Sequence, residues 1–131
     1  MVLNFKTCLL IDDNYIDNFV TRKILQNSRF AEDIVVIGSA SEALNILRSG
    51  NIKPDVIFLD IRMPDMDGFD FLEEYEKIDI EKENIRIYML SSSLDPTDMK
   101  QSVLNKYISN YIHKPITHKA LDDLFAHDLS C

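Results

Sequence analysis

The sequence predicts a doubly wound α/β sandwich in which strands and helices alternate as (βα)5. Three observations carry that expectation. Short apolar runs rich in β-branched residues recur along the chain, segments of helical periodicity with readable ends separate them, and most runs are too uniformly apolar for a sheet with one wet face. Strict alternation implies a parallel sheet covered on both sides, because each crossover carries the chain back over the sheet with right-handed sense.

The first run is Cys8–Ile11, and after it Ile16, Val20 and Ile24 repeat every four residues, with Phe19 and Leu25 widening the stripe. That pattern predicts a helix with one buried face. The second run, Ile34–Ile37, precedes Ser39-Ala40-Ser41-Glu42, a capping-box spacing, then Ala43, Leu44 and Leu47, and a stop at Arg48-Ser49-Gly50. After the third run, Val56–Leu59, a third helix is marked by Phe69, Leu72 and Tyr75 or Glu76, and the charged stretch from Glu73 to Glu83 reads as its solvated face and a loop. The fourth run is Ile87–Leu90. Asp95 then suits an N-cap, Pro96 the first helical position and Asp98 the first turn. The last run, Tyr107–Ile112, is followed by Thr117 as a cap and by Leu121, Leu124 and Phe125 as a buried helical face.

Length and composition fit a single domain over residues 1–131, with its core over about residues 7–127. A chain of this size with 46% hydrophobic residues builds a core without disulfides or structural metal. No effector domain is expected within it. The 22 acidic against 14 basic residues give a formal charge of −8, which argues against nucleic acid and against anionic membranes as partners. Cys8 lies in an apolar run and Cys131 stands at the end, so neither a disulfide framework nor a metal-ligand spacing is present. The first residues carry no signal-peptide core and no stretch reaches membrane-spanning length, so a cytoplasmic location is expected.

In a parallel doubly wound sheet the residues after each strand gather at one edge, and ligands sit where the strand order reverses. Those residues are Asp12 and Asp13 after the first run, Asp60 after the third, Ser91 after the fourth, and His113-Lys114-Pro115 after the fifth. If the order is 2-1-3-4-5, strands one and three are neighbours and the three carboxylates are adjacent. Adjacent carboxylates repel by roughly 4 kcal/mol per close pair at an effective dielectric near 20, so the cluster calls for a counter-charge. A hard divalent cation such as Mg²⁺, with Mn²⁺ a possible substitute, suits an all-oxygen donor set that has no Cys or His cluster. A carboxylate can attack phosphorus to form an acyl phosphate when the transferring group is stabilised. Lys114 and the Ser91 hydroxyl are placed to provide that stabilisation beside the metal. Asp60 stands alone on its strand and is therefore the expected nucleophile.

At this point the residues resemble a known family. Leu10-Ile11-Asp12-Asp13, Phe58-Leu59-Asp60 through Met63-Pro64 to Gly68, Met89-Leu90-Ser91 and Tyr111-Ile112-His113-Lys114-Pro115 together look like the receiver domain of a two-component response regulator. That is the CheY-like superfamily, with a flavodoxin-like sheet of order 2-1-3-4-5. The likeness runs from Cys8 to about Phe125. It implies that Asp60 accepts a phosphoryl group from a histidine kinase or histidine phosphotransfer protein. It further implies that Asp12, Asp13, Asp60 and the backbone carbonyl of Arg62 serve Mg²⁺, and that Lys114 pairs with Asp60 and then with the phosphoryl group. Ser91 and Tyr111 would couple the reaction to the face made by the fourth helix, fifth strand and fifth helix, where an unknown downstream protein docks. The Lys114-Pro115 bond would be cis, and the protein a monomer or a phosphorylation-linked dimer. On this reading the chain is a signalling phosphoacceptor and not a conventional turnover enzyme. Ser91 stands where the family often has threonine, keeping the hydroxyl; Arg62 and Ser93 occupy variable positions that influence water access.

Blander readings stand beside these. Asp12 and Asp13 suit a helix cap, Gly68 a turn, Met63-Pro64 a loop break, Tyr111 plain packing, and His113, His118 and His127 a surface or structural place. Asp95 and Asp98 read as caps. Competing functions on a related scaffold are a phosphorylation-independent interaction module and a haloacid-dehalogenase-type Mg²⁺-dependent phosphatase. The latter needs an Asp-x-Asp pattern after the first strand, where this chain has an adjacent pair.

Overall fold

The computed structural model describes residues 5–92 and 94–130, with side chains through Leu124; Ser93, the Phe125 and His127 side chains and Cys131 lie outside the described set. The chain runs β1 (Phe5–Ile11), α1 (Tyr15–Asn27), β2 (Ala31–Ile37), α2 (Ala40–Ser49), β3 (Val56–Asp60), α3 (Gly68–Glu76), β4 (Arg86–Ser91), α4 (Pro96–Leu104), β5 (Ile108–His113) and α5 (His118–Ser130). All strand pairs are parallel and the sheet order is β2-β1-β3-β4-β5.

Two apolar layers flank the sheet, and strand alternation assigns residues to each. Leu9, Ile11, Ile57, Leu59, Ile87 and Met89 face α2 and α3 and meet Leu44, Leu47, Phe71 and Tyr75. Cys8, Leu10, Val56, Phe58, Tyr88 and Leu90 face the other way and meet Leu25 of α1 and Leu121 and Leu124 of α5. Every residue of β3 is buried, which explains its unbroken apolar run. Each fully buried Leu, Ile or Phe in these layers contributes about 1.5–3 kcal/mol.

The helix ends follow their sequence signals. The Ser39 side chain accepts from the Glu42 amide, and Gly50 closes α2 at φ 75°, the left-handed conformation that glycine adopts without a Cβ penalty. Asp95 caps α4 by accepting from Thr97 N, with Pro96 next, and Thr117 Oγ1 accepts from Ala120 N at the start of α5. A capping box with both bonds present, Asp67 with Asp70, opens α3.

Two expectations need correction. The stripe expected to be the buried face of α1 is largely in solvent: Ile16, Phe19 and Val20 are 72%, 59% and 41% exposed, while Thr21 and Leu25 are buried. Polar anchors set the rotation instead. Asn14 caps the helix, Asn18 Nδ2 donates to the Asp12 carbonyl and Asp17 pairs with Lys114, which turns Thr21 and Leu25 inward. The charged stretch after Glu73 stands as expected, the solvated end of α3 at Glu76 followed by a loop, with Ile78 buried within it. Asp98 lies in the first turn of α4, yet it is also a buried acid whose Oδ2 receives Arg62 Nη2 at 2.6 Å. Strand limits also shift: β1 and β2 begin earlier, at Phe5 and Ala31, which pair with each other in register, and the Lys6 and Thr7 amides are held by the Asp55 carboxylate.

Candidate functional site

The β1–β3 register pairs Ile11 with Leu59, so the next residues, Asp12 and Asp60, emerge side by side at the strand ends. Carboxylate oxygens of Asp12, Asp13 and Asp60 lie within 4.8 Å of one another. Asp12 is 1% and Asp60 7% exposed, whereas Asp13 faces solvent. The site is thus a buried floor of two acids with a third at the rim.

Lys114 reaches this floor from the far edge of the sheet. Its amide donates to the Ser91 carbonyl at 2.8 Å, and the Lys114–Pro115 peptide is cis. The ammonium donates to Asp12 Oδ2 at 2.5 Å and to Asp17 Oδ2 at 2.9 Å, and lies 3.4 Å from Asp60 Oδ1. Burial favours the neutral amine. The hydrogen bonds to Asp12 and Asp17 and the nearby charges outweigh it and hold Lys114 above its ordinary pKa. For Asp60, burial and then the Asp12 charge raise the pKa to about 6, against the pull of Lys114 and of the Ile61 amide.

The loop after Asp60 is fixed from several sides. Gly68 N donates to the Ile61 carbonyl at 2.8 Å. A Cβ on Gly68 would sit 2.7 Å from the Asp60 carbonyl oxygen, so the glycine is required for close approach to the strand end. Asp65 accepts from the Ser41 amide and hydroxyl, which holds its carboxyl below the usual range. Arg62 sits two residues beyond Asp60 with its side chain drawn to Asp98 on α4.

The remaining expected residues are near the same edge. Ser91 is 1% exposed at the end of β4 and pairs in register with His113, while Tyr111 pairs with Met89 and is half-buried against the α2–α3 side of the core. The structure therefore brings Asp12, Asp13, Asp60 and Lys114 into one cluster and sets Ser91 at the adjoining strand end. His113 is exposed, and His118 Nδ1 meets Ser28 Oγ at 2.7 Å, a link between α1 and α5 away from the pocket. Sequence reasoning missed Asp17 and the closeness required at Gly68. An acid in a first helical turn reads as a dipole partner, and nothing local reveals that a lysine from residue 114 reaches it.

The response regulator receiver domain family matches residues 8–126. The chain belongs to this family. A two-component response regulator from Cytophaga hutchinsonii shares 30% identity and a TM-score of 0.84, covering 98% of this chain and 100% of that one. A response regulator receiver protein from Dyadobacter fermentans shares 32% identity and a TM-score of 0.81, covering 93% and 96%. Among curated relatives, the sensor histidine kinase CheAY of Helicobacter pylori is 32% identical over 113 residues, 86% of this chain and 14% of that protein. A two-component response regulator of Arabidopsis thaliana is 29% identical over 119 residues, 91% of this chain and 20% of that protein. The receiver domain described here thus spans a fifth or less of these two curated relatives. It is the kind of domain that response regulators of two-component systems carry, and no described helix is long and apolar enough to cross a membrane.

Proposed function

We propose that this receiver domain accepts a phosphoryl group on Asp60 from a phosphohistidine of a kinase or phosphotransfer protein, in a Mg²⁺-dependent reaction. The observation that carries the reading is the cluster itself: a buried carboxylate with two more within 4.8 Å and an ammonium at 3.4 Å. The donor set suits Mg²⁺, since all three side-chain ligands are hard oxygens and two are buried with a surplus of negative charge. Asp12, Asp13, Asp60 and the Arg62 carbonyl would hold the ion. When bound, it supplies positive charge that offsets the carboxylates and the phosphoryl oxygens.

The residues of the chain do the rest. An Asp60 Oδ atom forms a bond to phosphorus as the donor P–N bond breaks, and the released imidazole nitrogen takes up a proton. Lys114 pairs with a phosphoryl oxygen and the Ser91 hydroxyl donates to another. The group brings about 1.5 to 2 negative charges, which draws Ser91 inward and opens space for Tyr111 near β5. The exposed Leu94, Met99, Val103 and Leu104 on and before α4 then form part of the face a downstream protein reads. On the donor side, Tyr15, Ile16 and Phe19 expose apolar surface on α1 beside the pocket, where a donor protein must sit.

The deciding experiment adds acetyl phosphate or beryllofluoride with Mg²⁺ to the wild-type protein and to Asp60→Asn. An adduct that forms only with Mg²⁺ and only with Asp60 is expected. An adduct on Asp60→Asn at the same site, or none on the wild type, would falsify the assignment.

A further inference from the structure

We infer that Asp17 is a positioning residue for Lys114, competing with Asp60 and with an incoming phosphoryl group for the ammonium; this rests on the phosphoacceptor reading above. A lysine ammonium has three N–H donors. Here they face Asp12 at 2.5 Å, Asp17 at 2.9 Å and Asp60 at 3.4 Å, so the nucleophile has the longest of the three contacts. Asp17 lies outside the trio of clustered carboxylates. With Asp12 serving a cation, Asp17 is the acid left to Lys114 alone.

The surroundings fit a holding position. Asp17 is in the first turn of α1, its amide bound by the Asn14 cap, so its side chain projects from a fixed backbone. Its side chain is 38% exposed against 9% for Lys114, and both residues line a cleft of about 270 Å³ with Val20, Thr21, Ser92 and Pro115. Ion pairs at partly exposed sites are weak enough to exchange partners. Lys114 held by Asp17 neither saturates Asp60 nor drifts from the pocket, and it moves to the phosphoryl oxygens when they arrive as a stronger, more concentrated charge.

The test compares beryllofluoride affinity at saturating Mg²⁺, measured by calorimetry, in wild type, Asp17→Asn and Asp17→Glu, each also in a Lys114→Gln background. Asp17→Asn is expected to bind about three- to fivefold more tightly, because the competitor is gone. Asp17→Glu returns toward wild type, and in the Lys114→Gln background the gain falls below about 1.5-fold, the residue of general charge. An unchanged affinity in Asp17→Asn, or the same gain without Lys114, overturns the role, since a merely structural helix-terminus effect does not depend on Lys114. A metal-free arm separates this inference from the reading beneath it. The ¹⁵Nζ resonance of Lys114, assigned by its loss in Lys114→Gln, shifts in Asp17→Asn and is restored in Asp17→Glu. Wild-type protein that binds no beryllofluoride sinks the phosphoacceptor reading, whereas an unmoved Lys114 resonance sinks the pairing.

Discussion

At the scale of the residue, the pocket is a balance of burial against charge, and Asp60 shows its sign. Its pKa is raised to about 6 by burial and by Asp12, from an ordinary value of 3.8. The folded protein therefore holds this proton more tightly than the unfolded chain. The associated stability is full below the unfolded pKa and is lost as pH rises through the folded one, a window of roughly pH 4 to 6. Asp60→Asn removes the ionisable group, so in metal-free buffer it should be more stable than wild type above pH 7 by about 1–2 kcal/mol, after allowance for partial solvent screening. Below pH 4 the two should converge. Urea denaturation at pH 4, 5.5 and 7.5 reads the difference, and a variant less stable than wild type at pH 7.5 contradicts the electrostatic account. Cys8, by contrast, is fully buried with its thiol pKa pushed far up by burial, which keeps it inert.

At the scale of the element, the loop from β3 into α3 links Asp60 to its surroundings. Gly68 begins α3 directly against the Asp60 carbonyl, and an added Cβ would meet that oxygen at 2.7 Å and Ile61 Cα at 3.2 Å. Both are backbone atoms, so relief requires moving the strand end or the helix. Gly68→Ala should cost about 1–3 kcal/mol and slow adduct formation on Asp60 together. A denaturation midpoint equal to wild type would show that the loop yields freely. The sequence makes the turn at Gly68 readable but not its reason, because the atom that excludes a side chain belongs to a residue eight positions earlier. The same limit applies to α1. Its period is plain from Ile16, Val20 and Ile24, but a stripe does not say what covers it, and the inward face is chosen by Asn14, Asn18 and Asp17 through contacts to Asp12 and Lys114.

At the scale of the whole molecule, topology does the gathering. Parallel strands end at one edge, so Asp12, Asp60, Ser91 and Lys114 could be grouped from their places after apolar runs, and the register confirms the neighbours. Which acid takes each N–H of Lys114 could not be, since that depends on ångström-scale side-chain placement. If the clustered acids hold Mg²⁺ as proposed, the fold itself reports the metal. A cation that binds only the folded chain stabilises it by RT ln(1 + [Mg²⁺]/Kd), about 1.4 kcal/mol at ten times Kd. Melting temperature should rise with Mg²⁺ and return on chelation. Asp13 is exposed and its carboxylate stands against two buried ones, so Asp13→Ala removes repulsion along with a proposed ligand. In metal-free buffer that variant should melt at or above the wild-type temperature, and Mg²⁺ should raise it much less. Thermal scans of both proteins across a Mg²⁺ series, with Mg²⁺-free controls at matched ionic strength, provide the comparison. An Asp13→Ala protein that gains as much from Mg²⁺ as wild type would place the ion elsewhere, and one that loses stability without metal would show that Asp13 holds the fold and not the cation.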